Sequence, residues 1–318
     1  MNPNPPWDTA DPLGEALHFL RMSGTFYCRS EVTAPWGVDL PPMPDCLMFH
    51  VVTAGRCWLQ VPGEPMRQLQ PGDLVLVPHG HGHRLLSEPG APAVGLFDLP
   101  REIASERYEV LRHGGGGDAV QMICGAVRFE HPAARHLVQM LPAVIAVDAS
   151  RPPQAEWMYS TLRFMATEAQ QMRPGGEAVM TRLADILVIQ AIRAWLEQGS
   201  ATHTGWLRAL QDRQLGRVIV RIHRDPAHPW TLASLAAEAA MSRSAFAARF
   251  TQLVGEPAMQ YVTRWRMHLA ESWLKESATG VAETGARLGY QSEAAFSRAF
   301  KRYTGRPPGA VRRQPAVA

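Results

Sequence analysis

The sequence predicts an α+β protein of two domains, a β-barrel followed by an all-α domain, and three observations carry that prediction. Short apolar runs broken by Gly and Pro fill residues 24–60 and 66–87. From about residue 132 the hydrophobic period lengthens from that of a strand to that of a helix. The last hundred residues repeat themselves at an offset of 50. A chain of 318 residues is also longer than most single cores, so two domains are the expectation from length alone.

The runs "GTFYC", "LMFHVV", "CWLQV" and "DLVLVP" stand at the spacing of an all-β sandwich or barrel. "RHGGGGDAVQMICGAVRF" reads as a flexible glycine loop leading into a strand over Ile123 to Phe129. "WMYSTLRFMATEAQQM" and "AVMTRLADILVIQAIRAWLEQ" read as helices separated by "RPGGE". The second has one apolar stripe at Val179, Leu183, Ile186 and Leu187, and another at Val188, Ile192, Trp195 and Leu196. A helix apolar on two faces has to be covered on both. One face is expected on its own barrel and the other on a neighbouring helix or a second subunit. "EQGSATHTG" (197–205) has the small, polar composition of an interdomain linker. The expected domains are a barrel over 8–150, a helical dimerisation and linker segment over 151–200, and an all-α domain over 206–315.

Composition narrows the class. At 46% hydrophobic and 19% charged residues the chain is ordinary globular protein, not disordered. No apolar run is long enough to span a bilayer, and the N-terminus lacks the basic patch and apolar core of a signal peptide. A cytoplasmic protein is therefore expected, with Cys28, Cys46, Cys57 and Cys124 as free thiols. The net charge of +3 hides an asymmetry: residues 211–318 carry 16 Lys and Arg against 8 Asp and Glu, while the remainder is net −5. A basic third on an acidic body points to a polyanion as partner.

The repeat sharpens that. "MSRSAFAARFTQLVGEP" and "YQSEAAFSRAFKRYTGRP" align so that Ser242, Phe246, Phe250, Gly255 and Pro257 match Ser292, Phe296, Phe300, Gly305 and Pro307. Serine suits a helix N-cap, phenylalanines four apart bury one face, and glycine suits a left-handed C-terminal residue. Each unit thus reads helix, tight turn, helix. Between the phenylalanines of the second unit, Ser297 and Arg298 face outward, with Lys301 and Arg302 just beyond. Such a small polar and basic face is what a major-groove helix needs. The intervening helix would hold the two units apart rigidly, so that they enter successive grooves of double-stranded DNA.

These residues resemble the twin helix-turn-helix domain of AraC/XylS-type transcription regulators over about residues 211–315. "GARLGYQSEAAFSRAFKRYTGRPPGAVRR" is similar to the family signature along its whole length. By position in that motif, the resemblance implies DNA contacts at Arg243, Ser244, Ala247 and Ala248 in the first unit. In the second it implies Glu293, Ala294, Ser297 and Arg298. Ala247 and Ala248 depart from the longer polar side chains frequent there. Alanine touches a thymine methyl but donates no hydrogen bond, so the first unit is expected to read fewer bases.

The stretch "PHGHGHRL" carries His79, His81 and His83, a spacing that raises the question of a metal site. Its context, "GDLVLVPHGHGHRLLS", resembles the second motif of a cupin barrel, with Ser87 where asparagine is usual. The resemblance covers roughly residues 8–150 and implies that His83 alone points inward, His79 and His81 staying solvent-facing at the barrel mouth. The first cupin motif is missing its ligands: Met48 stands at the glutamate position and "PPMP" at the His-x-His region. A metal-dependent cupin enzyme is therefore not expected, and neither a catalytic residue nor a required cofactor is assigned.

His50, two residues after that lost glutamate, shares its strand face and is expected to converge with His83. The strands that carry Cys28 and Cys124 could bring thiols near them. Two imidazoles with one or two thiolates would suit zinc or Cu(I). Charged histidines would also lower the pKa of a nearby thiol and favour its oxidation. Cys46 and Cys57 are read as structural. The resemblance extends to regulators that sense reactive chlorine species through cysteine oxidation. The expected protein is a homodimeric one-component regulator whose barrel senses an oxidant or metal through Cys28, Cys124, His50 and His83. It would meet RNA polymerase if it activates. The alternative is an organic ligand in a pocket lined by Met48, Phe49 and Trp58.

Overall fold

The computed structural model describes residues 14, 22–129, 138, 141–147, 154–171, 173–198, 206–276 and 279–312. The outer ends of the expected barrel and all-α domain, and most of the expected linker, lie outside them. The chain divides into two compact units, Leu20–Ser200 and a second that holds Ala201–Ala318.

In the first unit the apolar runs are strands. β1 (Met22–Thr33), β2 (Gly37–Leu40), β3 (Cys46–Ala54), β4 (Cys57–Gln60), β5 (Arg67–Leu69), β6 (Leu74–Val77) and β7 (His83–Leu86) follow one another through short turns. β8 (Val94–Gly95), β9 (Arg101–Ser105), β10 (Tyr108–Gly114), β11 (Ala119–Phe129) and β12 (Ile145–Val147) complete the set. They form a seven-stranded sheet, β12-β6-β3-β11-β1-β10-β9, and a five-stranded sheet, β5-β4-β7-β2-β8. One buried cluster joins them, with Val32, Met48, Val52 and Met122 from the larger sheet and Val38, Leu40, Leu59 and Leu85 from the smaller.

The central strands β3 and β6 are apolar without alternation because both faces are covered. α1 (Gln154–Gln171) and α2 (Gly176–Gln198) follow the strands, and α2 packs against α1, β1, β6 and β12. Of the two stripes on α2, Val188, Ile192 and Leu196 are buried. In the other, Leu187 is buried but Val179 and Ile186 are each 45% exposed.

β10 and β11 flank β1, parallel and antiparallel to it. The glycine segment between them therefore crosses the end of β1. Gly115 N–H donates to the Thr33 carbonyl at 2.9 Å, and Gly117 N–H to that of Ala34 at 2.8 Å. At Gly114 (φ +135°) a Cβ would lie 1.9 Å from the Thr33 oxygen, so no other residue fits. The segment expected as a flexible loop is a hydrogen-bonded crossover. β12 falls where the sequence suggested helix; three residues are too few to show a period.

The second unit is helical: α3 (Trp206–Leu210), α4 (Arg213–Arg224), α5 (Leu232–Glu238), α6 (Arg243–Val254), α7 (Ala258–Glu276), α8 (Val281–Arg287), α9 (Glu293–Thr304) and α10 (Pro308–Arg312). α7, nineteen residues and about 28 Å long at 1.5 Å per residue, contacts α6, α8 and α9. Its Tyr261, Val262, Trp265, Leu269 and Leu274 are buried. His223 of α4 stacks on Trp265 with ring centroids 3.9 Å apart and meets the Tyr261 hydroxyl at 2.7 Å. That pairing satisfies two polar groups inside an otherwise apolar core.

Candidate functional sites: the barrel cavity and the DNA-reading helices

Strand register assembles the cavity. Cys28 of β1 stands opposite Cys124 of β11, and Cys124 stands opposite His50 of β3. Three adjacent strands thus place two thiols and an imidazole in one row, all facing inward. Ser30, two residues from Cys28, lies on the same face with its hydroxyl 3.6 Å from the Cys28 sulfur. From the opposite sheet His83 brings its Nε2 to 2.7 Å from His50 Nε2. The turn before His83 is fixed by Gly80 (φ +62°), where a Cβ would lie 1.9 Å from the Met43 oxygen.

His50 and His83 are 1% and 2% exposed, and both thiols are buried. Cys28, Ser30, His50 and Cys124 line one cavity with Val38, Leu40, Met48, Leu85 and Met122. The space open to a water-sized molecule is about 20 Å³. That is room for about one water and far less than the roughly 300 Å³ or more of a typical organic-ligand pocket.

Electrostatics follow from burial. Desolvation lowers the pKa of His50 well below its usual value, reinforced by His83. Burial lowers His83 as well, against the opposing pull of the His81 carbonyl and Asp39. Both rings are therefore neutral at pH 7. Burial raises the Cys28 thiol, partly offset by the Ser30 hydrogen bond, and raises Cys124 well above the usual range. Cys57, hydrogen-bonded to the Met122 sulfur at 3.7 Å, is pushed up to about 12.

Several expectations are corrected by this geometry. The thiols are less acidic than free cysteine because burial disfavours their charged form, and no charged imidazole offsets it. His79 is half-buried, with its Nε2 3.2 Å from the Val138 carbonyl; only His81 is exposed. Phe49 is buried on the other face of β3, beside Tyr27 at 6.4 Å between ring centroids, because alternation sends it away from Met48 and His50. Trp58 does not line the cavity either. Cys57 lies close enough to Cys124 for its charge to be felt there, a neighbour the sequence did not suggest.

A zinc or copper ion does not fit the donors as they stand. Among the described residues no three His, Cys, Asp or Glu side chains gather as a metal would require. The 2.7 Å between imidazole nitrogens is also shorter than the separation of about 3.3 Å between two ligands on a tetrahedral zinc.

The candidate DNA-reading helices are α6 and α9. Ser242 and Ser292 cap them, each hydroxyl accepting from the backbone N–H three residues on at 3.2 Å. Phe246, Phe250, Phe296 and Phe300 are fully buried. Gly255 and Gly305 end the helices in the left-handed conformation, at φ +88° and +75°. With those faces fixed, Arg243, Ser244, Ala248, Glu293, Ala294, Arg298, Lys301 and Arg302 are exposed, and Ala247 and Ser297 half-exposed. Arg243, Arg298 and Lys301 have no acidic partner among the described residues.

Arg249 is held instead: its Nε donates to Asp212 at 3.0 Å, and Asp212 caps α4. Burial alone would raise the Asp212 carboxyl. The Leu215 amide and the Arg249 guanidinium outweigh it and lower the pKa.

A cupin barrel followed by paired, capped helices with a basic outer face defines a DNA-binding transcription regulator with a cupin domain. The Cupin family model matches residues 11–197, and the helix-turn-helix domain model matches residues 235–314. A putative AraC-like transcription regulator of Streptomyces lividans is 34% identical over 310 residues, 96% of this chain and 99% of that one. The RCS-specific HTH-type transcriptional activator RclR of Escherichia coli is 26% identical over 266 residues, 84% of each chain. The solved DNA-binding domain of AdpA in complex with target DNA is 32% identical over 30% of this chain and 86% of that one, with a TM-score of 0.29. The chain belongs to the AraC-like transcription regulators. Among its described residues no helix is long and apolar enough to cross a membrane.

Proposed function

We propose that the cupin domain senses a small oxidant through Cys28 and Cys124, and that their oxidation alters how a cytoplasmic homodimer engages its DNA half-sites. The observation that carries this reading is the direct cross-strand pairing of Cys28 with Cys124 on the wall of one cavity. Residues directly opposite on antiparallel strands have Cα atoms about 4.5–5.5 Å apart, within the range a disulfide bridges. The similarity to RclR, an RCS-specific activator, supports the choice of signal. The exposed Val179 and Ile186 on α2 support a second copy as the cover of that face. RNA polymerase enters as a partner if the regulator activates.

Transmission has a short route. Tyr27, next to Cys28, is buried on the face of β1 turned away from the cavity, with its hydroxyl close enough to Thr181 of α2 to feel it, so a shift in the thiol row moves a residue beside the helix.

The test is a promoter reporter with the Cys28→Ser, Cys124→Ser double variant. Loss of the oxidant response with DNA binding retained is the expected result. A normal response in that variant removes the thiol reading.

A second reading, an organic ligand in the barrel, is favoured by the apolar lining of the cavity. It needs the barrel to expand. Ligand-dependent thermal stabilisation without thiol loss would support it.

A further inference from the structure

We propose that the barrel cavity binds a small neutral molecule bearing a hydroxyl, HO–X, and that His50 Nδ1 is the atom that holds it. The inference rests on the oxidant reading above and gives the oxidant a chemical class: an undissociated hypohalous acid or hydrogen peroxide.

Hydrogen-bond bookkeeping fixes the tautomers. His83 Nδ1 lies 3.1 Å from the His81 carbonyl, which can only accept, so Nδ1 carries the proton. In the neutral ring His83 Nε2 is then a bare acceptor. His50 Nε2, 2.7 Å away, must donate to it. His50 Nδ1 is left as a lone pair, and it is buried with no hydrogen-bond partner. An unmet buried acceptor is destabilising, and a guest with one donor removes that cost.

The surroundings choose the guest. No described residue lining the cavity is charged, and the one unmet polar atom is an acceptor. An anion such as hypochlorite or a sulfonate finds no cation there to offset its burial, whereas its neutral acid finds the lone pair. The space, about 20 Å³ at the scale of a water molecule, suits a guest of two heavy atoms once Met48 or Met122 yields slightly. The same cavity is lined by both thiols, so a molecule held by its hydroxyl on His50 meets them from within.

For hypochlorous acid the chemistry balances. One thiol sulfur takes chlorine as the O–Cl bond breaks, and the thiol proton leaves with the oxygen as water. The second thiol displaces chloride from the sulfenyl chloride, the S–S bond forms, and a proton leaves with the chloride. Two thiols lose two electrons and the oxidant gains them.

The test follows oxidation of the full chain by peptide mapping after rapid quench, with hypochlorous acid and with anionic taurine chloramine. Cys46, buried but outside the cavity, is the internal reference. The expected result is that His50→Leu slows Cys28–Cys124 oxidation by hypochlorous acid about tenfold while leaving Cys46 unchanged. His50→Gln, whose amide oxygen accepts, restores most of that rate. Cys28–Cys124 bonding at wild-type rate in His50→Leu overturns the anchor and leaves the thiol reading standing. Failure of the pair to oxidise in the wild-type protein overturns the thiol reading itself. Should His50→Leu not fold, the wild-type protein decides. Equal ratios of Cys28–Cys124 to Cys46 oxidation with the two oxidants overturn the proposal; a ratio higher with the neutral acid supports it.

Discussion

In α5–α6 and in α8–α9 the chain makes the same turn with the same bonds. After α5, the N–H of Ala240 donates to Ala237 and that of Met241 to Ala236. After α8, Gly289 donates to Ala286 and Tyr290 to Gly285 at matching distances. Both turn residues are left-handed, with φ +51° at Ala240 and +80° at Gly289. The first helices therefore repeat at an offset of 49 and the second at 50, with Gln291 as the added residue. What differs is the freedom around the shared scaffold. An alanine is accommodated in the first turn, whereas a Cβ at Gly289 would lie 2.3 Å from the Ala227 carbonyl oxygen. The outward faces differ too: Ala247 and Ala248 in α6 answer to Ser297 and Arg298 in α9, and Arg249, tied to Asp212, answers to Ala299. One backbone plan thus serves a unit with few donors and a unit with several.

The largest expected effect tests the turn. Gly289→Ala adds left-handed strain to a clash with backbone, so it should destabilise the second unit by about 2 kcal/mol in urea unfolding. Ala240→Gly relieves strain but adds unfolded-state entropy, so it should stay within about 0.5 kcal/mol of wild type. Similar losses from both would mean that the two turns are not under different constraint.

The middle effect tests the faces. Arg298→Ala should weaken operator binding by about 1–3 kcal/mol in a titration at fixed salt, if the guanidinium reaches a base edge. Arg243→Ala should cost less on the same operator, since the helix behind it offers alanines. A larger loss at Arg243 would reverse the assignment of the reading burden.

This repeat was legible in the sequence because its signals are local: a serine, two phenylalanines and a glycine at fixed spacing encode cap, buried face and stop. The barrel was legible only in part. Alternation along one strand placed His50 inward, and the glycine-marked turn placed His83, so their meeting could be expected from sequence. The pairing of Cys28 with Cys124 could not, because β1 also lies beside β10, and cross-strand register belongs to topology rather than to local pattern. Ser30 carried a usable signal, two residues from Cys28 on one strand face. The raised pKa of the thiols has a cause that residue spacing does not reveal. A charged histidine would lower it, but the burial that brings the four groups together also keeps the imidazoles neutral. β8, β9 and β12 have two, five and three residues, too few apolar positions to declare a period.

The smallest effect separates how the two units begin. α5 starts with a capping box, in which the Thr231 hydroxyl accepts from the Ser234 N–H and the Ser234 hydroxyl from the Thr231 N–H. α8 starts at Gly280 with no side-chain cap, although its φ of −70° and ψ of 159° are ordinary for a capping serine. A Cβ there meets nothing within 4 Å. Glu283 already stands at the third helical position, where a box would need it, but it is paired with Arg287 at 2.6 Å. Gly280→Ser should therefore gain only a few tenths of a kcal/mol, through one new bond to an orphan amide and a less flexible unfolded chain. The gain should appear as slower amide exchange at the start of α8, with α5 and α6 unchanged. If exchange slows equally in both units, their openings are one cooperative event, and the difference between their caps has no separate consequence.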